Sequence, residues 1–215
     1  MPLEQSSRPV FDLLEGEDPV LPILQASIAG DVAAVKSLLS QAPLNEIVLQ
    51  KAAFVHYESR KRENEDDIRT VSVCSFSHLE RVLIKAAVAG QAATVSVLIK
   101  YAAQHRLSPW LYHPIKAAIE QDDLAMIDAL FAAYPSAVYC DFGPGDHRPL
   151  EYAVKRRRAN TVKLLLDKGA AQCSLDPVYD SAKSYQDHLL RLATTGRYAN
   201  KATAEVLSEH FSPAV

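Results

Sequence analysis

One short pattern recurs along the chain and limits what it can fold into. From Gly145 to Ala170, in GDHRPLEYAVKRRRANTVKLLLDKGA, a turn leads into Pro149-Leu150 and a small residue follows at Ala153. After a corner at 156–159, Val162, Leu165 and Leu166 recur at helical spacing, and Gly169 closes the stretch. Proline suits the first turn of a helix, where its missing N–H costs nothing. Glycine suits the position just past a helix end. The stretch therefore reads as two short helices joined by a corner.

The pattern has further copies. LPILQASIAGDVAAVKSLLS, from Leu21, has Pro22, Ala26, a Gly30 corner, then Val35, Leu38 and Leu39. RVLIKAAVAGQAATVSVLIK, from Arg81, has Ala86, Gly90, then Val95, Leu98 and Ile99. HPIKAAIEQDDLAMIDALF, from His113, has Pro114, Ala118, Asp122, then Ile127, Leu130 and Phe131. A looser copy surrounds Ala193 and Gly196. The register alanines Ala26, Ala86, Ala118, Ala153 and Ala193 are separated by 60, 32, 35 and 40 positions. LQKAAFVHY, from Leu49, matches LIKAAVAGQ and supplies Ala52 as a further mark, which divides the long gap into 26 and 34. This gives about six helix-pair units. One pair cannot bury its apolar face alone, so each must stack on its neighbours, with small residues allowing close approach and capped units at the ends. The irregular last unit, with NKATAEVLSEH, is expected to be such a cap.

A period near 33, Pro-Leu before a small residue, a corner, then Val-x-x-Leu-Leu and Gly-Ala resembles the ankyrin repeat. The likeness spans roughly residues 20–208 and is best at 145–170. No unit carries Thr-Pro-Leu-His in full, and the corner glycine is replaced by Asp122 in the third clear unit and Arg157 in the fourth. The resemblance implies an all-α solenoid of five to six helix-turn-helix repeats over residues 21–210. Outside the repeats, residues 1–20 are expected to be a mobile tail that Phe11, Leu13 and Leu14 could dock. The charged stretch 58–70 is expected to be a solvated insertion or a helix extension; a partner-binding insertion is the alternative.

Charge and cysteine usage narrow the function classes. The formal net charge is -3, which gives no bulk attraction to nucleic acid or an anionic membrane. No apolar run approaches the ~18 residues that span a bilayer, and the first residues do not read as a secretory signal. Cys74, Cys140 and Cys173 are odd in number and far apart, so they read as reduced thiols rather than a disulfide framework or a zinc site. With 7 glycines in 215 residues, a turn-rich β protein is disfavoured.

No catalytic or cofactor motif stands out. The histidines show no pairing at helical metal-site spacing, so neither metal nor cofactor is expected. Neighbours point apart on a helix or strand, so His113 beside Tyr112, and His147 beside Asp146, read as surface or capping groups. Asp122-Asp123 reads as a cap for the second helix of its unit. Lys155-Arg156-Arg157-Arg158 reads as an exposed helix corner; a patch for an acidic partner or phosphate is the alternative.

The resemblance implies a binding module that grips another protein along its concave face. Trp110, Tyr112, Tyr139, Phe142, Tyr152, Tyr179 and Tyr185 fall on inner helices or on the segments joining units, and such aromatic types carry binding energy. The expected contact set is Trp110, Tyr112, Lys116, Asp141, Phe142, Asp146, Arg148 and Tyr152. A monomer acting in the cytoplasm on a partner protein is the leading expectation. A small enzyme or ligand-binding protein, using the groove as a pocket with Tyr, His147 and Asp146 as acid-base groups, is one alternative. An effector translocated into a host cell is another.

Overall fold

The computed structural model of the chain describes residues 10–13, 18–60, 68–107, 109, 111–140, 142, 148–172 and 182–212. It forms two compact units, Met1–His113 and Pro114–Val215, where the sequence suggests one array.

The first unit contains α1 (Leu21–Ala29), α2 (Val32–Leu39), a short α3 (Leu44–Ile47), α4 (His78–Val88) and α5 (Ala92–Gln104). Pro22 lies in the first turn of α1, and the Asp31 carboxylate caps α2 by accepting from the Ala34 N–H. Ser77 and Glu80 cap α4 reciprocally: the Ser77 N–H donates to the Glu80 carboxylate at 2.7 Å, and the Glu80 N–H to the Ser77 hydroxyl at 3.2 Å. α1 packs on α2 and α4, while α5 packs on α2 and α4, so like helices stack on like. Ile23, Val35, Val82, Leu83, Val95, Leu98 and Ile99 fill the layer between them.

The second unit takes in most of α6 (Tyr112–Gln121), then α7 (Leu124–Ala133), α8 (Pro149–Lys155), α9 (Ala159–Asp167), α10 (Ala182–Thr194) and α11 (Lys201–Phe211). α8 packs on α9 and α10, and α9 on α7 and α11. Leu150, Val154, Val162, Leu165, Leu189 and Leu207 are buried there.

One device closes four of the corners. Residues Gly30, Gly90, Asp122 and Arg157 take left-handed φ values of 77, 75, 54 and 59°. Each N–H reaches back to the carbonyl three residues earlier: Gly30 to Ser27, Gly90 to Ala87, Asp122 to Ile119 and Arg157 to Val154. The next N–H reaches the register alanine: Asp31 to Ala26 at 2.9 Å, and Gln91 to Ala86, Asp123 to Ala118 and Arg158 to Ala153, each at 3.0 Å. This pair of bonds is the Schellman closure. Ala26, Ala86, Ala118 and Ala153 are thus the carbonyl acceptors that end these four first helices, while the Ala193 carbonyl accepts from the Asn200 N–H at 2.8 Å.

The stretch around Ala52 is not a sixth helix pair. Lys51–Arg60 is strand β2 and Ile68–Ser77 is strand β3, paired antiparallel from Lys51↔Ser77 to Arg60↔Ile68. Strand β1, Val10–Leu13, adds to β2 and gives the order β1-β2-β3. The local signal Lys-Ala-Ala is outweighed by Val55, Tyr57, Ile68, Thr70, Val71, Val73 and Phe76, residue types that favour strands. The hairpin leaves and re-enters the array at one point, where His78 N–H donates to Gln50 and Leu79 N–H to Val48. Without the 27 residues from Lys51 to Ser77, Ala26 and Ala86 stand 33 apart, one repeat.

Two boundary expectations change with this. The charged stretch 58–70 is strand at both ends, with 61–67 outside the described residues. Residues 1–20 are not a free tail throughout. Besides β1, Val20 is fully buried and Asp18 pairs with Arg81 at 2.5 Å. Residues 1–9 and 14–17 lie outside the described residues.

Candidate partner-binding site

Three of the expected contact residues meet around one ring. Tyr152 on α8 is 1% exposed, and its ring packs edge-on against Phe142 at 5.7 Å between centres. Lys116 Nζ lies 5.0 Å from the Tyr152 ring centre and Arg156 Cζ 4.8 Å. Both cations thus sit within range of the ring's negative faces. The Tyr152 hydroxyl donates to Glu120 on α6 at 2.5 Å, and Arg156 Nη2 lies 3.3 Å from the same carboxylate oxygen. Burial, and then the bond to Glu120, push the Tyr152 phenol far above its ordinary range, so it stays protonated.

This arrangement changes the part these side chains can play. Tyr152 and Phe142 are nearly closed to solvent, as is Arg148 at 9%, so they offer a partner little surface. They belong instead to the packed interior of the second unit, where Arg148 Cζ lies 6.0 Å from the Tyr185 ring. Lys116 is half-buried, as is Tyr112, the first residue of α6. Trp110, Asp141 and Asp146 lie outside the described residues, as do His147 and Tyr179. Tyr139 is 41% exposed, and its hydroxyl donates to the Gly169 carbonyl at 3.3 Å.

His113 is a correction. It is 6% exposed, and its ring meets that of Tyr112 edge-on at 4.6 Å, so it is not a surface group. Asp123 caps α7 as expected, accepting from the Met126 N–H at 3.0 Å. Asp122 does something different. It occupies the left-handed corner, and its carboxylate caps α9 in the next repeat.

The basic corner is largely spent inside the unit. Lys155 pairs with Glu151 at 2.8 Å, Arg156 with Glu120, and Arg157 and Arg158 donate to the carbonyls of Arg197 and Glu120. Glu151 is 1% exposed and also faces His188 Nε2 at 3.5 Å. These cations brace α6, α8 and the segment before α11 against one another. The residue missed in sequence is Glu120, which gathers three bonds: from Tyr152 and Arg156 to its carboxylate and from Arg158 to its carbonyl. The available signal was its register, two positions past Ala118, with Tyr152 one position before Ala153.

Among the described residues, no group of three or more His, Cys, Asp or Glu could hold a metal ion, and no helix is long and apolar enough to cross a membrane.

No family model matches the chain, and no curated protein matches it. In structure the chain is similar to the human ASB11 ankyrin repeat domain, with 18% identity and a TM-score of 0.45, over 89% of this chain and 84% of that one.

Proposed function

We propose that the chain is a protein-interaction module and that its second unit meets a partner protein along the surface of Lys116, Tyr139 and the segment 140–148. The observation that carries this reading is that Lys116 and Tyr139 keep part of their surface open to solvent while Phe142, Arg148 and Tyr152 are buried. Phe142 and Arg148 are buried on either side of the stretch that bears Asp146. Side chains seated on a packed interior lose little conformational entropy when a partner binds, and that saving adds to affinity. Phe142, Arg148 and Tyr152 act from within as supports, while Lys116, Tyr139, Asp141 and Asp146 carry the contacts.

Affinity capture with the tagged chain, followed by mass spectrometry, would identify the partner. Titration calorimetry with Lys116→Glu, Asp141→Ala and Asp146→Ala then tests the surface. Each substitution should weaken binding about tenfold or more, the range of an interface hot spot. Unchanged affinity in all three would place the partner elsewhere.

A further inference from the structure

The first unit carries a second feature, built from residues other than those of the surface just proposed. Between α2 and α5 runs a cleft of about 360 Å3. Its floor is Leu39, which is buried, and Val97, which is half-buried. Lys36 and Lys100 stand exposed beside it, with Tyr101 and Gln104 completing the wall. Tyr101 is held in place, since its hydroxyl donates to the Asn45 carbonyl at 3.2 Å.

Charge decides what fits. No Asp or Glu lines the cleft. Neither Lys36 nor Lys100 takes part in an ion pair among the described residues. This contrasts with the corner at 155–158, where each cation has an internal acceptor. Two unspent ammonium groups beside an apolar floor complement an apolar side chain flanked by carboxylates. The volume falls within the usual range for ligand sites, about 300–1,000 Å3, but those sites enclose most of their ligand. This one is more open than enclosed, which suits side chains of a longer segment better than a small molecule. Nucleic acid is a poorer match, because phosphate binding draws on many cations and gains nothing from an apolar floor.

We propose that this cleft docks an acidic segment of a partner protein, with an apolar side chain on Leu39 and Val97 and Asp or Glu carboxylates at Lys36 and Lys100. The full chain, used as bait for a random peptide display library, provides the test. Enriched peptides should combine an apolar residue with neighbouring acidic ones. A synthetic copy of the most enriched peptide, followed by fluorescence anisotropy, should lose at least tenfold in affinity to Lys36→Glu/Lys100→Glu. It should also weaken severalfold on raising salt, and be indifferent to Lys116→Glu. Should the charge-reversed pair lower the melting temperature, Lys36→Gln/Lys100→Gln takes its place. Absence of enrichment, enrichment without acidic bias, or affinity that survives both lysine pairs would overturn the proposal. Indifference to Lys116→Glu keeps this result separate from the fate of the other surface.

Discussion

The carboxylate of Asp122 accepts from both the hydroxyl of Thr161, at 2.6 Å, and its backbone N–H, at 3.3 Å. It also accepts from the Asn160 amide at 3.2 Å. α9 needs that help, because its own N-cap residue is Arg158, which offers no side-chain acceptor. One repeat therefore caps the next. The same residue sits at φ 54°, a conformation that costs an ordinary side chain energy but that Asp and Asn tolerate best after Gly.

Substitutions at Asp122 should separate these two effects in urea denaturation. Asp122→Ala loses the cap and keeps the backbone cost, so it should destabilise by about 2 kcal/mol. Asp122→Gly loses the cap but relieves the backbone, and should cost roughly 1 kcal/mol less. Asp122→Asn keeps an acceptor and should stay within about 0.5 kcal/mol of the parent. Equal losses for Ala and Gly would show that the backbone conformation carries no weight.

Glu120 and Tyr152 should be energetically coupled. Tyr152→Phe keeps the ring between Phe142, Lys116 and Arg156 and removes only the hydroxyl. A loss of about 1 kcal/mol is expected, modest because Glu120 is partly solvated. In a double-mutant cycle with Glu120→Gln, the two changes should be non-additive by at least 0.5 kcal/mol, the lower end for residues in contact. Additivity would mean that the Glu120 carboxylate is satisfied by Arg156 alone.

His78 should make the first unit acid-sensitive. Burial holds its imidazole below the ordinary value of 6.5; Asp18 opposes that shift and Arg81 adds to it. The folded chain therefore keeps His78 neutral at a pH where the unfolded chain takes up a proton. Stability from this group is present above pH 6.5 and is lost as the pH falls through the lower, folded value. Melting temperatures recorded from pH 7.5 to 5 should fall more steeply for the parent than for His78→Gln. Parallel profiles would assign the acid sensitivity to other groups.

The hairpin should be dispensable for the helical array. Its first pair, Lys51↔Ser77, lies at the point where His78 and Leu79 already bond back to Gln50 and Val48. Replacing Ala52–Phe76 with Asn-Gly closes the chain there with a two-residue turn that suits antiparallel strands. Circular dichroism should show a higher helical fraction and a single cooperative melt. Loss of cooperativity would make the sheet part of the folding unit.

The sequence by itself determined the repeat. The five register alanines, the corners after them and the Val-Leu stripes are local signals, because a helix end and an apolar helix face are each specified within a few residues. Pro149 opens α8 and Asp123 caps α7 for the same reason. Tertiary structure decided what local windows do not contain. Lys51-Ala52-Ala53 matches a helix start, yet its partner strand begins at Ile68, and pairing across that distance selects the strand. Asp122 and Arg157 look like flaws in a glycine position until the next repeat supplies Thr161 and the Arg197 carbonyl as their partners. The cations at 155–158 look exposed in sequence but are used inside, while Lys36 and Lys100 remain outside; the choice depends on which carboxylates and carbonyls a neighbouring helix brings within reach.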